Sequence, residues 1–448
     1  RTAAALVGAR DAWRRRRCRV VGMSAVATAP KANRRRMTPG QAAGSRGVRM
    51  LIGAAAVATA LSLVRLITGE NDITSSGTFA AALRVTLPIA VVGLGALYAE
   101  RVGIVNIGLE GMMVMGTWFG GWVGFHHGIW AGVLAGIAGG AAIGLLHAIA
   151  TVTFGVDHVV SGVAINLLVG TTGAVGLARF LSVATYGSAG VTQSPRIEGS
   201  VARVSLPVLS SGPDLLGDLE NLHWFLVSDL AGLLRGLTRE VSWLAVICVL
   251  LFPLTWWLFA RTSLGLRLRS VGEHPAAAES LGVRVYTMKY IGVVISGALA
   301  GLAGATLVAD AHIYKEGQTA GRGFIGLAAT IFGNWRPGGV AAGAGLFGFA
   351  DALQLRRGSS VHGLLLFVAL AVAVFAVRLL FRRRWVAAVM LGVLAGCFVG
   401  WYLNTETVPT QIVYMTPYVT TLVVLAFASQ RLRPPAADGK PYRRGQSG

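Results

Sequence analysis

The segment Arg261–Gly282, RTSLGLRLRSVGEHPAAAESLG, carries basic, acidic and small residues between two long apolar runs. We call it the docking segment. Ala277, Ala278 and Gly282 follow the spacing AAxxxG, so a short helix that begins near Pro275 would present small side chains to a partner. Such a helix can enter a groove on another protein while neighbouring charges set its orientation. The candidates for those orienting contacts are Arg269, Glu273 and His274. An ordinary basic loop at a membrane surface is the alternative interpretation.

A second polar group lies in ERVGIVNIGLEGMMVM, at the start of an apolar run. Asn106 and Glu110 are four residues apart, so they share one face of a helix. A carboxylate inside a membrane span costs roughly 3 kcal/mol, and Glu110 is therefore expected to face protein or a water-filled path. A residue that lines a path and a structural acid at a helix end both fit this position. The same two interpretations apply to Asn166 in GVDHVVSGVAIN.

Residues 323–355 are apolar but are interrupted by GNWRPGG, Gly333 to Gly339. Pro337 has no backbone N–H, and Arg336 is unfavourable in lipid. Two helices joined by a tight turn, which we call the broken pair, explain the interruption better than one long span. Broken helices often border transport paths, because unwound backbone must be satisfied by protein or water. A purely structural re-entrant turn is the alternative.

No motif for catalysis is present in the sequence. It contains no GxxxxGK[ST] phosphate-binding loop, no HExxH and no GxSxG. The three cysteines, Cys18, Cys248 and Cys397, form no CxxC pair or Cys/His cluster, so neither a metal site nor a disulfide framework is indicated. We therefore expect a non-catalytic chain that binds no metal or cofactor itself.

The composition is that of a membrane protein with several spans. Of the 448 residues, 54% are apolar and only 13% are charged, and the 60 glycines suit helices that pack closely in lipid. The net charge of +21 does not indicate nucleic acid, because the basic residues cluster at the ends of apolar runs. We expect an all-α polytopic transmembrane helix bundle in a lipid bilayer, with no nucleic-acid partner.

Apolar runs near the roughly 20 residues needed to cross a bilayer define the predicted spans. With the broken pair they give about 10 to 12 membrane segments within a transmembrane domain at 50–430. The runs lie at 50–68, 79–98, 107–125, 129–153, 158–181, 241–260, 288–309, 361–378, 385–403 and 412–429.

Clusters of basic residues predict the orientation, because such clusters remain on the cytoplasmic side. Residues 1–49 hold thirteen Arg or Lys against the single acid Asp11, and we expect a disordered cytoplasmic arm whose natural start lies nearer Met23 or Met37. The loop 261–287 and the tail 431–448 are also expected inside, so both termini are cytoplasmic. All the basic clusters fall on the cytoplasmic side only if the broken pair crosses the membrane twice. This orientation places the acid-rich loop 182–240 outside, with one short surface helix.

Together these stretches resemble the permease subunits of bacterial ABC importers for nucleosides and simple sugars, in the branch that works with basic membrane lipoproteins. The resemblance extends from about residue 79 to the tail. The matching segments are ERVGIVNIGLEGMM (100–113), LGLRLRSVGEHPAAAESLGV (264–283), ISGALAGLAGA (295–305), GFIGLAATIFGNWRPGGVAAGAGLFG (323–348), MTPYVTTLVVL (415–425) and PPAADGKPY (434–442).

The resemblance implies that the docking segment contains the coupling helix that enters an ATPase cleft. Related permeases often begin this motif with Glu-Ala-Ala, whereas this chain has Ala276 at the Glu position, with Glu273 and Glu279 nearby. A further departure is the inserted helix pair at about 357–404. The implied residues of the substrate path are Asn106, Glu110, Asn166 and Phe324.

The resemblance also implies partners and a location. The expected partners are ABC ATPase subunits that carry ATP and Mg, a second homologous permease as a homo- or heterodimer, and an extracytoplasmic substrate-binding lipoprotein. The expected location is the bacterial plasma membrane. Nucleosides are favoured over ribose-like sugars as substrate. A secondary transporter driven by an ion gradient is the alternative of another class, and it would need ionisable relays within spans, for which Glu110 is the main candidate.

Overall fold

A computed structural model describes residues 39–170, 176–186, 193–206, 209–210, 214–354, 358–405, 408 and 432–443. These residues form sixteen α-helices and one small antiparallel sheet, in which β1 (Arg203–Val204) pairs with β2 (Val241–Ser242). The predicted all-α class is therefore confirmed. Contacts separate Arg1–Ala56 from Val57–Gly448. The described residues of the first unit are helical, and the second unit contains everything discussed below.

The helices are adjoined by two short turns. A 3-10 turn at Asn71–Thr74 precedes the second helix, and a π-helical turn at Ile149–Thr153 extends the fourth. In chain order they are α1 (Pro39–Thr68), α2 (Ser76–Glu100), α3 (Leu109–His127), α4 (Ile129–Ala148), α5 (His158–Val169), α6 (Leu177–Tyr186), α7 (Leu215–Asn221), α8 (Val227–Thr238), α9 (Trp243–Arg261), α10 (Ser263–Glu273), α11 (Pro275–Ser280), α12 (Val285–Ala311), α13 (Arg322–Phe332), α14 (Pro337–Gln354), α15 (Gly358–Phe381) and α16 (Trp385–Asn404).

Among the described residues, five helices are long and apolar enough to cross a membrane. They are α2, α4 with its π-helical turn, α9, α12 and α16. Shorter apolar helices lie at 55–68, 158–169, 322–332 and 365–381. The chain is thus a polytopic membrane protein. The predicted number of 10 to 12 segments is not confirmed, because several predicted spans form helices shorter than a full crossing.

The run 158–181 shows why. A single span was predicted there, but α5 ends at Val169 and α6 begins at Leu177. Gly170 adopts a left-handed conformation with φ 88°, and its N–H donates to the carbonyl of Asn166 at 3.1 Å, which is a common way to end a helix. The predicted span at 412–429 and the motif MTPYVTTLVVL lie outside the described residues, as does the arm before residue 39.

Helices α2, α4 and α12 pack at the centre of the bundle through glycine contacts. A Cβ placed on Gly140 of α4 would lie 2.3 Å from the carbonyl oxygen of Gly297 and 2.5 Å from the Cα of Gly301, both on α12. The two backbones therefore touch without intervening side chains, as small-residue faces permit in membrane bundles. This contact explains part of the high glycine content.

The broken pair forms as predicted. Helix α13 ends at Phe332, and Asn334 and Trp335, both at φ 53°, turn the chain into α14. Pro337 is the first residue of α14, where its missing N–H leaves no intrahelical bond unmade. The hydroxyl of Thr330 donates to the carbonyl of Gly93 at 2.7 Å, which fixes α13 against α2.

The predicted outer loop contains two helices, α7 and α8, rather than the single short helix expected. Helix α8 is attached to the bundle by Asp229, whose buried carboxylate lies 3.0 Å from Nε of Arg65 on α1. The same carboxylate accepts hydrogen bonds from the hydroxyls of Ser62 and Thr74. A buried ion pair with several hydrogen bonds can fix the position of a helix. A helix held by apolar packing alone could shift along its neighbour.

The inserted segment forms two helices, α15 and α16, which pack on each other. Apolar side chains of α16, such as Val386, Val389 and Val393, are exposed in the isolated chain. In a membrane protein such a surface suits contact with lipid. The insertion therefore lies at the edge of the bundle, away from the site described next.

Candidate functional site

The docking segment forms two short helices that follow α9. The hydroxyl of Thr262 accepts a hydrogen bond from the N–H of Gly265 at 3.1 Å and so caps α10. His274, at φ −142° and ψ 81°, breaks the chain before α11, and Pro275 is in the first turn of α11, as the sequence predicted. Gly282, at φ +82°, then returns the chain towards α12 in a conformation that favours glycine.

The surface of α11 that faces away from the bundle is small and apolar. Ala277 is exposed, whereas Ala278 is 2% exposed and packs in the core. Leu281 is 84% exposed directly after this helix. Glu273 and His274 are exposed beside it, while Arg269 is partly buried. Sequence analysis did not single out Leu281, although an isolated leucine after AES was the available signal.

The inner side of the docking segment is held by the C-terminal residues Leu432–Arg443, which we call the C-terminal strap. The N–H of Ala437 donates to the carbonyl of Gly272 at 2.9 Å, and the N–H of Ala436 donates to Oε2 of Glu273 at 3.2 Å. The hydroxyl of Tyr442 donates to the carboxylate of Glu279. The strap thus contacts both α10 and α11.

The loop after α2 and the turn of the broken pair meet at the same place. A Cβ on Gly272 would lie 2.2 Å from the carbonyl oxygen of Arg101, so α10 touches the loop backbone directly. The indole N–H of Trp335 donates to the carboxylate of Glu100, and the guanidinium of Arg101 donates to the carbonyl of Trp335. The structure therefore brings the ERVGI motif, the docking segment, the GNWRPGG turn and the strap into one cluster.

Charges in this cluster are partly removed from water. Burial raises the pKa of Asp438 in the strap to about 7, against the lowering effects of the Gly439 N–H and the positive charge of Lys289. Burial lowers the pKa of Arg101, which Glu273 counteracts. Lys289 was not selected from the sequence, although a lysine at the start of an apolar run was a signal that could have identified it.

Glu110, a predicted path residue, anchors the broken pair. Its Oε1 accepts hydrogen bonds from the hydroxyl of Thr319 at 2.6 Å and from the N–H of Gly321 at 2.9 Å, and its Oε2 accepts from the N–H of Gly323 at 2.6 Å. A carboxylate at this position also interacts favourably with the positive N-terminal end of α13. All of these contacts of Glu110 are with protein groups. A role for Glu110 in the substrate path stays a prediction.

The other predicted path residues divide into two kinds. Asn166 is bonded at both ends, since its Oδ1 accepts from the N–H of Gly111 at 2.9 Å and its Nδ2 donates to the carbonyl of Ile107 at 3.0 Å. Asn106 donates from Nδ2 to the hydroxyl of Ser296 at 2.9 Å, but its buried Oδ1 has no hydrogen-bond partner among the described residues. Phe324, on the first turn of α13, is 44% exposed.

These positions lie close together. Gly323, beside Phe324, packs on the backbone of Glu110, and Gly111 joins Glu110 to Asn166. Within the part of the chain that the structure describes, no group of three or more His, Cys, Asp or Glu side chains could hold a metal ion. A part for these residues in binding a substrate stays a prediction.

Comparison with known proteins identifies the family. A family model described as "Branched-chain amino acid transport system / permease component" matches residues 78–381. The chain belongs to this permease family. The matched region contains the loop after α2, the docking segment and the broken pair. No solved structure matches the permease at a significant level.

Three relatives match this chain over nearly the whole of their own length. The permease is 32% identical over 374 residues to the guanosine ABC transporter permease protein NupQ of Bacillus subtilis. This match covers 82% of this chain and 96% of NupQ. It is 31% identical to the nucleoside ABC transporter permease protein NupC of Lactococcus lactis, over 79% of this chain and 93% of that one. It is also 33% identical to the putative glucose ABC transporter permease protein TsgC13 of Haloferax volcanii, over 83% of this chain and 98% of TsgC13.

These matches confirm the resemblance found in the sequence. The chain is an integral membrane permease of the ABC transporter type.

Proposed function

We propose that this permease is the membrane-spanning subunit of an ATP-driven importer, and that it translocates nucleosides delivered by an extracytoplasmic binding lipoprotein. The observation that carries the proposal is the geometry of the docking segment. Helix α11 exposes Ala277 on its outer side and is followed directly by the exposed Leu281, while the buried Ala278 holds its inner side to the bundle and Glu279 binds the strap. A helix held in this way can be displaced by a partner protein and can transmit that displacement to the bundle.

The energy has to come from another chain, since the sequence contains no phosphate-binding loop. ABC ATPase subunits with bound ATP and Mg would supply it, with the outer side of α11 in a groove on their surface. Arg269, Glu273 and His274 would orient that contact, and Gly282 would end the helix. A second homologous permease would complete the path, in a plasma membrane where both termini are cytoplasmic.

The residues near the start of α13 suit a nucleoside. The exposed ring of Phe324 can stack on a base, and stacking of this kind tolerates different bases. The unpartnered Oδ1 of Asn106 is a buried acceptor that a polar group of the substrate or a water could satisfy once the path opens. Glu110 and Asn166 would hold this region in position. NupQ and NupC, named for guanosine and nucleosides, support this substrate class.

A simple sugar is the second candidate substrate. TsgC13, named as a putative glucose permease, is as similar to this chain as the two nucleoside permeases are. A ribose-like sugar shares the hydroxyl groups of a nucleoside but has no base to stack on Phe324. The two substrates can therefore be separated by measuring transport of each one directly.

The test is uptake by the complete transporter in proteoliposomes, with the permease pair, ATPase subunits and binding protein present and ATP on the ATPase side. We expect uptake of radiolabelled guanosine or adenosine that depends on ATP, and much weaker uptake of ribose and glucose. Uptake driven by a proton or sodium gradient without ATPase subunits would overturn the importer proposal. ATP-dependent uptake of sugar alone would select the second substrate.

A variant tests the docking contact itself. Ala277→Trp places a bulky side chain on the exposed surface of α11, so we expect normal insertion but loss of ATPase binding. The matched control is Ala371→Trp on the exposed face of α15, where binding should be unchanged. Gly282 is less suitable, because any side chain is strained at its positive φ whatever the partner does. Equal ATPase binding by both tryptophan variants would argue against α11 as the docking helix.

A further inference from the structure

The C-terminal strap contacts the docking segment at one end and the broken pair at the other. At its start, the N–H of Arg433 donates to Oδ1 of Asn334 in the turn between α13 and α14, at 2.8 Å. At its end, the hydroxyl of Tyr442 donates to Glu279 on α11, and the Tyr442 ring lies 5.9 Å from the ring of Tyr286. The strap therefore joins two elements that lie more than fifty residues apart in the sequence.

The centre of the strap is built to hold its shape. The N–H of Asp438 donates to the carbonyl of Pro435 at 3.1 Å, and the N–H of Lys440 donates to the carbonyl of Ala437 at 3.2 Å, so the segment is folded into consecutive turns. A Cβ on Gly103 would lie 2.9 Å from the carbonyl oxygen of Ala437, which shows that the strap touches the loop after α2. A segment with internal turns and close backbone contacts moves as one piece.

The contacts of the strap are directed, so the strap does not simply cover the surface beneath it. Arg433, Pro434, Ala436 and Lys440 are exposed, and the buried residues Pro435 and Ala437 are small. The partly buried side chains of Leu432 and Tyr442 pack against the core. The strap is also held by a set of directed hydrogen bonds to α10, α11 and the turn of the broken pair. Such bonds fix the relative positions of the groups they join, whereas apolar burial alone does not.

We propose that the C-terminal strap is a positioning element of the transport cycle, which transmits displacement of the docking helix α11 to the turn of the broken pair. Tyr442 and Asn334 are its two end points. This inference rests on the proposed function, since it assumes that a partner ATPase moves α11. Because α13 carries Phe324 and is anchored by Glu110, movement of its C-terminal turn would reach the proposed substrate path.

Variants at the two ends test the strap. Tyr442→Phe removes the hydrogen bond to Glu279 but keeps the ring against Tyr286. Asn334→Gly removes the acceptor for Arg433 while accommodating the positive φ of 53°, and Asn334→Asp keeps an acceptor oxygen. The matched control is Tyr290→Phe, which removes a hydroxyl that bonds Thr153 outside the strap.

The measurement is the amount of guanosine imported per ATP hydrolysed by the complete transporter, together with thermal stability and ATPase binding. We expect Tyr442→Phe and Asn334→Gly each to lower this ratio about tenfold, the change that corresponds to loss of one hydrogen bond. ATP hydrolysis, ATPase binding and stability should stay close to wild type. Asn334→Asp and Tyr290→Phe should keep the wild-type ratio.

Two results would overturn the inference. An unchanged ratio in both end-point variants would show that the strap transmits nothing. A loss of stability or of ATPase binding in parallel with transport would show a merely structural role. If the wild-type transporter itself shows no ATP-driven uptake, the proposed function fails, and that outcome is seen before any variant is compared.

Discussion

Glu110 shows how one carboxylate can fix the start of a helix, here α13. The N-terminal N–H groups of α13 have no partners within the helix, and burying them without an acceptor is unfavourable. Glu110 supplies acceptors for the N–H groups of Gly321 and Gly323 from the neighbouring helix α3. The start of α13 is therefore fixed by a residue more than two hundred positions earlier in the sequence.

Replacement of Glu110 tests this anchor. Glu110→Ala leaves three donors without an acceptor, and we expect a loss of about 3 kcal/mol of stability, seen as a lower melting temperature of the purified protein. Glu110→Gln keeps one acceptor oxygen and should lose about half as much. The control is Asp157→Ala, which removes an exposed cap from α5 and should cost only about 1 kcal/mol. Equal losses from the two alanine variants would contradict the anchoring role.

Asp438 predicts a pH dependence of strap docking. Its pKa is raised to about 7 by burial, against the lowering effect of the positive charge of Lys289, compared with about 4 for an exposed carboxyl group. The docked strap therefore binds a proton more tightly than the released strap does. The contribution of Asp438 to docking should be fully present below about pH 4 and should be lost as the pH rises through about 7. Hydrogen-exchange protection of residues 436–440 at pH 5 and pH 8 measures the effect.

Asp438→Asn provides the comparison, because it keeps the shape of the side chain and removes its titration. Protection in this variant should be the same at both pH values after correction for intrinsic exchange rates. A pH-dependent difference that persists in Asp438→Asn would assign the titration to another group.

Residue types alone located the candidate site but not its internal contacts. An acid inside an apolar run and small residues beside charges were visible as patterns, so Glu110 and Ala277 could be selected. The difference between Ala277 and Ala278 could not, because it depends on which face of a six-residue helix the bundle covers. The strap was recognised as a motif, PPAADGKPY, but its contacts with Gly272 and Asn334 depend on chain folding over long sequence separations.

At the scale of elements, apolar run length predicted the central helices, and Pro337 with its neighbouring glycines predicted the broken pair. The same reasoning failed at 158–181, because one glycine in a left-handed conformation ends a helix without making the run less apolar. It also missed the second helix of the outer loop. Helix α8 is held by the ion pair between Arg65 and Asp229, and no local pattern shows which acid will pair with which base.

The contact between α4 and α12 predicts a strong effect of a single methyl group. In Gly140→Ala the new Cβ would lie 2.3 Å from the Gly297 carbonyl oxygen, and this backbone atom cannot move aside without shifting the helix. We expect a loss of about 2 to 3 kcal/mol in stability, measured by thermal unfolding in detergent. Gly400→Ala on α16 is the control, because nothing lies within 4 Å of its added methyl group. Similar melting temperatures for the two variants would contradict this packing.

Charge and contacts together predict how the whole molecule is oriented in the membrane. The docking segment, the loop after α2, the turn of the broken pair and the C-terminal strap lie in one cluster, so they must face the same side of the membrane. The docking segment and the C-terminal strap carry clustered arginines or lysines, and such clusters remain cytoplasmic. Helices α7 and α8 adjoin the opposite end of α2, near Ser76, and should therefore be outside.

Single cysteines test this orientation. In a background with Cys18, Cys248 and Cys397 replaced by serine, Leu222→Cys between α7 and α8 and Leu281→Cys after α11 both place a thiol at an exposed position. A membrane-impermeant maleimide added to intact cells should label Leu222→Cys and leave Leu281→Cys unlabelled, because only the first thiol faces outwards. Permeabilised cells should give labelling at both sites, which controls for reactivity. Labelling of Leu281→Cys in intact cells would place α11 outside, where no ATPase could reach it, and would remove the basis for coupling through the docking segment.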